Sequence, residues 1–181
     1  EVPAGFDARF SATGRRYCYR IADGPHRPDP LLRSCVTWVR DVLDETSMHR
    51  AAQSLLGEHD FVAFCRPRPG ATTIRTLRRV SVSRSARRLV SVDLEADAFC
   101  HNQVRAIVGA LLAVGDGRRD SGWPADVLAS RRRDGAVHVA PARGLTLEAV
   151  TYPPNDQLAA QAERTRRFRS GDPATAPGET G

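Results

Sequence analysis

A run of polar residues stands where an apolar strand pattern passes into an apolar helix pattern. His101, Asn102 and Gln103 form this run, and Arg105 follows within the first helical turns. Two interpretations stay open. In the first, His101 and Asn102 cap the free amides that begin any helix. In the second, the start of the helix binds an anion such as an RNA phosphate or a carboxylate.

Arg105 makes the second interpretation harder to dismiss. Its neighbours Val104, Ile107 and Val108 are apolar, so the sequence predicts a partly buried guanidinium, which needs an anionic partner. Asp93 and Asp97 precede it, but the alternation of their strand directs both to solvent. The pattern therefore indicates a carboxylate elsewhere, and a catalytic carboxylate is one candidate.

Tyr17 and Tyr19 form a second candidate group, two residues apart in the strictly alternating stretch "GRRYCYRI". Tyrosines at this spacing usually face a protein core. The alternative is that one ring lies at a cleft and stacks on a nucleic-acid base, while nearby arginines contact phosphates. The sequence alone favours the core.

The sequence gives little support for a metal site or for a reactive thiol. Cys18, Cys35, Cys65 and Cys100 form no CxxC pair, and Cys100 with His101 matches no common zinc spacing. Cys18 and Cys100 are predicted to be small buried apolar residues. Adjacent strand residues point to opposite faces, which disfavours a Cys100–His101 nucleophilic dyad. No glycine-rich phosphate loop is present. We expect reduced thiols and a cytoplasmic protein that binds no metal.

The charge balance suits a nucleic-acid partner. The 181 residues carry a formal net charge of +6, and all 27 basic residues are arginine. Arginine presents a flat, always charged fork that binds phosphate and stacks on bases. Genome base composition explains an arginine-only sequence without any selection for function, and we give that explanation the larger weight. No apolar run is long enough to cross a membrane, and no signal-peptide pattern opens the chain.

The elements that must position these residues follow from periodicity and turn signals. The sequence predicts an α+β fold with a largely antiparallel mixed sheet flanked by helices. The first helix is predicted to begin near Thr46 or Ser47 and to close at Gly57. The chain from about Asn155 turns polar and is predicted to be a disordered tail. The remaining elements are strands at 14–21, 35–42 and 144–153, a hairpin of 76–84 with 89–99, a helix from the polar run to about 115, and a short helix from 123 with Pro124 in its first turn.

Five blocks, taken in order, resemble the bacterial tRNA pseudouridine synthase A family. They are "FDARFSATGRRYCYRI", "MHRAAQSLLGEHDFVAF", "TTIRTLRRVSV", "DLEADAFCHNQVRAIVGALLAVGDG" and "APARGLTLEAVTYP". The resemblance covers about residues 5–153. It implies a pseudouridine-synthase-like fold of which residues 1–153 form the C-terminal domain, supplying about half of the whole sheet, with 154–181 as the tail.

The resemblance also implies roles for individual residues. Tyr17 matches the tyrosine that packs on the target uridine, Arg105 the arginine that pairs with the catalytic aspartate, and Leu145 an apolar residue of the uracil pocket. The family's nucleophilic aspartate lies in a "GRTDAGVHA"-type block upstream of the tyrosine strand. This chain does not contain that block. The expected RNA-binding residues are His101 and the four arginines Arg9, Arg15, Arg16 and Arg75, each of which could equally be a solvated surface charge.

These matches define the expected function. The family isomerises uridine to pseudouridine at positions 38, 39 and 40 of the tRNA anticodon stem-loop, without metal or organic cofactor, as a homodimer. We expect this chain to be the C-terminal part of such an enzyme and to be inactive alone. The alternatives are a non-catalytic RNA-binding module and a structural half that contributes mainly a dimer interface.

Overall fold

Strand β1 is the element around which the sheet is built. A computed structural model of the chain describes residues 2–25, 29–66, 71–85, 88–133 and 135–169. The strands in these residues are β1 (Gly14–Ala22), β2 (Thr37–Trp38), β3 (Gly57–Asp60), β4 (Ile74–Arg84), β5 (Leu89–Ala96) and β6 (Leu145–Thr151). The α-helices are α1 (Glu45–Gln53), α2 (Gln103–Gly115), α3 (Trp123–Ser130) and α4 (Leu158–Arg169).

The sheet is mixed and mostly antiparallel, which confirms the predicted fold class. Its strand order is β2-β1-β5-β4-β3, and β6 also pairs with β1. The β1–β2 pairing is parallel, whereas β1–β5, β1–β6, β3–β4 and β4–β5 are antiparallel. β6 pairs with β1 from Gly14 to Tyr19, and β2 pairs with it at Ile21 and Ala22. Tyr17 therefore lies where β5, β1 and β6 run side by side.

The predicted hairpin is present as β4 and β5. Alternation places Val90, Val92, Leu94 and Ala96 on one face, and each of these side chains is buried. Opposite them, α2 is buried almost all round, with Ile107, Val108 and Leu111 in the core cluster. α2 packs across this face of the sheet. The residues at its start therefore lie beside the first half of β1 and the last residues of β5, which pair with each other.

The start of α1 differs from the sequence prediction. Asp44, not Thr46 or Ser47, is the capping residue, because its carboxylate accepts hydrogen bonds from the Thr46 and Ser47 N–H groups and from the Ser47 hydroxyl. The helix ends at Gln53, and Gly57 does not close it. Gly57 instead begins β3, an edge strand that pairs with β4 and that the apolar pattern of the helix had concealed.

The predicted disordered tail is helical as far as the structure describes it. Residues 158–169 form α4, in which Leu158 and Ala162 are buried. The Ser11 hydroxyl donates to the Leu158 carbonyl at 2.9 Å, and Arg166 pairs with Asp7 at 2.8 Å. Two buried residues four apart are enough to dock a helix, although they give too weak a signal among charged residues to predict one. Residues 170–181 lie outside the described residues, and the domain boundary at 153 stays a prediction.

Candidate active site

Three segments that are far apart in the sequence converge on one cavity at the end of the sheet. The cavity has a volume of about 420 Å³, within the range of small-ligand sites. Its lining comes from β1, from the β5–α2 junction and from the turn before β6. The lining residues are Tyr17, Phe99, Cys100, His101, Asn102, Gln103, Val104, Arg105, Ala142 and Leu145.

The cavity brings together four residues singled out from the sequence, namely Tyr17, His101, Arg105 and Leu145. Tyr17 is half-buried while its neighbour Tyr19 is fully buried, so the pair divides between cleft and core. The Phe99 ring packs edge-on against Tyr17, with ring centroids 5.4 Å apart and planes at 83°. Such edge-to-face contacts orient an aromatic ring and leave one of its faces open.

The start of α2 is organised differently from a simple cap. Asn102 adopts a left-handed conformation with φ 66°, and its side chain makes no capping bond. Gln103 is fully buried, and its Oε1 accepts from the Cys100 N–H at 2.8 Å. The capping interpretation is therefore wrong for the Asn102 side chain, and Gln103 ties the turn together from inside.

Arg105 is half-buried at the cavity and is held by backbone rather than by an acid. Its Nε donates to the Ala140 carbonyl at 2.5 Å, and its Nη1 lies 3.5 Å from Asn102 Oδ1. Within the part of the chain that the structure describes, it forms no ion pair with Asp93, Asp97 or any other carboxylate. Asp97 instead accepts from the Thr76 N–H. The guanidinium thus carries its positive charge into the cavity.

The turn that presents Leu145 is fastened to the core by Tyr19. The Tyr19 hydroxyl lies 2.7 Å from the Pro141 carbonyl and 2.7 Å from the Thr37 hydroxyl. Gly144 packs flat on this ring, since a Cβ placed there would be 2.7 Å from ring atoms. Burial is the main cause that raises the pKa of Tyr19, so it remains a neutral phenol. Tyr19 therefore supports the cavity wall without lining it.

The thiols of Cys18 and Cys65 pack as neutral groups. Cys18 is buried, which confirms its prediction, and burial raises its pKa to about 11. Cys100 is only half-buried and reaches the cavity, so its predicted full burial is wrong. A hydrogen bond with Cys100, together with burial, raises the pKa of Cys65. A neutral thiol is a poor nucleophile.

The four predicted phosphate-binding arginines do not line this cavity. Arg9 and Arg16 are exposed, and Arg15 donates to the Arg9 carbonyl at 2.6 Å. Arg75 is buried, and its guanidinium donates to the carbonyls of Thr72 and Ile74. The strand alternation that buries Leu77 also buries Arg75, which sequence reasoning overlooked.

Sequence reasoning missed Phe99 and Ala142 as parts of the site. Phe99 lies two residues before the polar run and could have been found from that position. Ala142 gives no signal, because it reaches the cavity only through the turn that precedes β6.

The fold and the cavity define an α+β protein with a cationic cleft beside an aromatic ring at the end of its sheet. The family model for tRNA pseudouridine synthase matches residues 51–153, and the chain belongs to this family. No helix among the described residues combines the length and the apolar character needed to cross a membrane.

Curated relatives named tRNA pseudouridine synthase A extend the match in both directions. The protein from Frankia casuarinae is 59% identical over 169 residues, which cover 93% of this chain and 61% of the relative. The proteins from Streptomyces griseus and Mycobacterium leprae are 53% and 49% identical, with 93% of this chain and 60% and 59% of the relatives covered. The chain thus spans about three-fifths of the length of these relatives.

Proposed function

We propose that this chain is the C-terminal part of a tRNA pseudouridine synthase that isomerises uridine in the anticodon stem-loop, at positions 38–40. The observation that carries the proposal is the convergence of Tyr17, Leu145 and Arg105 on one cavity. A planar base needs an aromatic or apolar surface on which to stack, and Tyr17 and Leu145 supply one each. Arg105 supplies a cation next to them.

The proposed chemistry divides between this chain and a segment upstream of it. A nucleophilic aspartate from the upstream segment adds to the target uridine, and the N1–C1′ glycosidic bond breaks. The uracil rotates and C5 bonds to C1′. The aspartate is then released, and the proton lost from C5 is balanced by one gained at N1. The product has the same atoms as the substrate, so no co-reactant is consumed. The uridine must leave its stack to enter a cavity of this kind.

Each residue of this chain then has a defined task. Arg105 keeps the aspartate ionised, because a guanidinium beside a carboxylate lowers the pKa of that carboxylate. The Ala140 carbonyl accepts from Nε and Asn102 Oδ1 accepts from Nη1, so the Nη2 N–H groups are available to the aspartate. Tyr17, braced by Phe99, contacts the uracil, and Leu145 closes its other side. His101, the exposed Arg9 and Arg16, and the half-buried Arg15 are proposed to contact RNA phosphates.

We also propose that the whole protein is a cytoplasmic homodimer that needs neither metal nor organic cofactor. The names of the relatives support a tRNA substrate. The choice of the anticodon stem-loop and the dimeric state rest on the family resemblance.

Pseudouridine formation on an anticodon stem-loop transcript tests this proposal. The chain is assayed alone and with its upstream coding segment restored, alongside an Arg105→Met variant of the restored form. Activity only in the restored form, lost in Arg105→Met, supports it. Activity of the chain alone would refute the upstream position of the nucleophile, and its own aspartates would then be substituted. RNA binding without activity in either form would favour the non-catalytic RNA-binding module.

A further inference from the structure

A second cavity, here called the arginine cavity, lies between the start of β1, β4 and α4. Its volume is about 370 Å³, and its charged lining residues are Arg75, Arg78, Arg164 and Asp97. None of the residues of the first cavity lines it. The proposed chemistry gives this place no function, and Arg75 is the one lining residue that the sequence analysis named as an RNA-binding candidate.

The arginine cavity has an excess of positive charge. Arg78 and Arg164 are exposed, and neither forms an ion pair with a carboxylate of the described residues. Arg164 donates to Gln161 Oε1 at 2.8 Å, which keeps its charge uncompensated. Asp97 is the single carboxylate among the described lining residues, and its Oδ1 already accepts from the Thr76 N–H. Three cations therefore face one anion.

Arg75 adds positive charge to the arginine cavity from beneath the surface. It is only 6% exposed, its terminal nitrogens donate to backbone carbonyls, and its buried Nε has no acceptor in the described part of the chain. A buried guanidinium without a carboxylate partner is costly, and a nearby anion reduces that cost. The Nε of Arg75, which lacks an acceptor, is an observation independent of the two exposed arginines, and it also indicates an anionic ligand.

The neutral lining residues also suit an oxyanion. Thr165 Oγ1 accepts from Gln161 Nε2 at 3.1 Å, so its hydroxyl hydrogen can be donated to a ligand. Arginine forks and a hydroxyl match the several acceptor oxygens of a phosphate group. No described residue of the lining is aromatic. The described lining therefore suits a phosphate better than a nucleobase.

Position along β1 links the two cavities. A Cβ placed on Gly14 would lie 3.3 Å from Arg78 Nη1, so the Arg78 guanidinium lies over Gly14. Tyr17 is three residues further along the same strand, a distance of about 10 Å, and an odd spacing directs the two positions to opposite faces. An RNA strand leaving the first cavity would reach the arginine cavity by passing around the end of the sheet.

We propose that the arginine cavity binds a backbone phosphate of the RNA substrate, outside the target nucleotide. This inference rests on the proposed function in so far as that function makes RNA the ligand. Arg78 and Arg164 contact the phosphodiester directly, and Arg75 adds charge from below.

The test measures RNA binding by the full-length protein. Dissociation constants for an anticodon stem-loop and for a whole tRNA transcript are measured by fluorescence anisotropy over a series of salt concentrations. The variants are Arg78→Ala, Arg164→Ala and the double variant. Arg78→Lys keeps the charge, and Arg50→Ala removes an exposed arginine on α1 as a matched control. Thermal unfolding verifies that each variant is folded.

Loss of each arginine is expected to raise Kd about three- to tenfold near physiological salt, and to reduce the slope of log K against log salt by about one. Arg78→Lys should retain most of the slope, Arg50→Ala should behave as the unmodified protein, and kcat at saturating RNA should not change. An effect on whole tRNA but not on the stem-loop would assign the phosphate to the tRNA body.

Unchanged Kd and salt slope in the folded double variant would overturn the inference. If the same protein also binds inorganic phosphate, and the double variant does not, the cavity is a free-phosphate site instead. A failure of the proposed function gives a different result from a failure of this inference. If the proposed function is wrong, the unmodified full-length protein makes no pseudouridine, and the arginine variants still bind RNA more weakly than it does.

Discussion

Arg105 and Ala140 are joined by two hydrogen bonds that run in opposite directions. Arg105 Nε donates to the Ala140 carbonyl at 2.5 Å, and the Ala140 N–H donates to the Arg105 carbonyl at 3.0 Å. The guanidinium is therefore oriented before any acid approaches it. Pre-organised charge of this kind stabilises a partner without reorganisation at the moment of reaction.

Substituting Arg105 should impair catalysis more than RNA binding. Arg105→Met in the full-length protein is expected to lower kcat about a hundredfold, since hydrogen bonds to charged groups are worth about 1.5–3 kcal/mol. KM should change little, because the proposed partner of Arg105 is the nucleophile and not the RNA. Steady-state pseudouridine assays on a stem-loop transcript measure both constants.

The pH dependence of the same variant supplies a second measurement. Without the guanidinium the pKa of the carboxylate rises, so the acid limb of the rate profile should move to higher pH. Arg105→Lys keeps a charge but not the fork, and should shift the limb less. An unshifted limb in Arg105→Met would show that Arg105 does not act on the nucleophile.

The sequence predicted most elements because their periodicity is strong. β1, β5 and α2 each carry an unbroken apolar pattern, and α3 has Pro124 in its first turn. β4 alternates from Val80 onward, after a register shift between Leu77 and Arg79. β3 was not predicted, because a strand of four residues that follows a helical stretch has no periodic pattern of its own. α4 was not predicted, because its stability comes from the packing of Leu158 and Ala162 against residues distant in sequence. Local composition does not reveal such tertiary contacts.

For the site, the sequence identified residues but not the connections among them. Tyr17 and Tyr19 are equivalent by spacing, and they differ in the fold because Thr37, Pro141 and Gly144 enclose Tyr19. The bond between Arg105 and Ala140 spans 35 positions and involves a backbone carbonyl, which has no sequence signature. Contacts of this kind follow from the fold.

Removing the Tyr19 hydroxyl should loosen the wall that carries Leu145. Tyr19→Phe leaves the buried Thr37 hydroxyl short of one partner, a loss of about 1–3 kcal/mol of unfolding free energy. The Pro141 carbonyl is released as well, so kcat should fall several-fold through displacement of the turn. Urea unfolding and pseudouridine assays of the full-length protein measure the two effects.

Tyr152→Phe is the matched control for this substitution. The Tyr152 hydroxyl donates to the Ala8 carbonyl at 2.9 Å on the exposed side of the protein. Its loss should leave activity unchanged and alter stability by no more than about 1 kcal/mol. Equal activity losses in both variants would argue against a positioning role for Tyr19.

Gly109 lets residues 138–140, which precede β6, pack closely against α2. A Cβ placed on Gly109 would lie 1.6 Å from the His138 carbonyl oxygen, so Gly109→Ala must push the two segments apart. We expect it to destabilise the protein by about 3 kcal/mol, at the upper end of overpacking costs, and to reduce activity by displacing Ala140 from Arg105.

Gly135→Ala provides the comparison for Gly109. A Cβ there would meet no heavy atom within 4 Å, so unfolding free energy should change by less than about 0.5 kcal/mol. Chemical denaturation of both variants is the measurement. A Gly109→Ala protein as stable as Gly135→Ala would contradict the close packing of α2 on residues 138–140.

The ion pair between Asp23 and Arg84 should make stability depend on pH. Burial alone would raise the pKa of Asp23, but hydrogen bonds from Arg84 and from the Leu43 N–H outweigh it and hold the pKa below the ordinary value of 3.8. A depressed carboxylate pKa stabilises the folded state above the unfolded pKa. The stabilisation is lost as pH falls through the folded value, below about pH 4.

Arg84→Met removes the partner of a carboxylate whose side chain is only 3% exposed. The expected loss is about 3–5 kcal/mol near pH 7, typical of an uncompensated buried charge. The pKa of Asp23 should then rise, so the gap to the unmodified protein should narrow between about pH 7 and pH 4 as the carboxyl is protonated. Asp23→Asn with Arg84→Met removes both charges and should recover part of the stability. A pH-independent gap in urea unfolding would show that Arg84 stabilises through packing and its contacts with Glu45 and the Leu43 carbonyl.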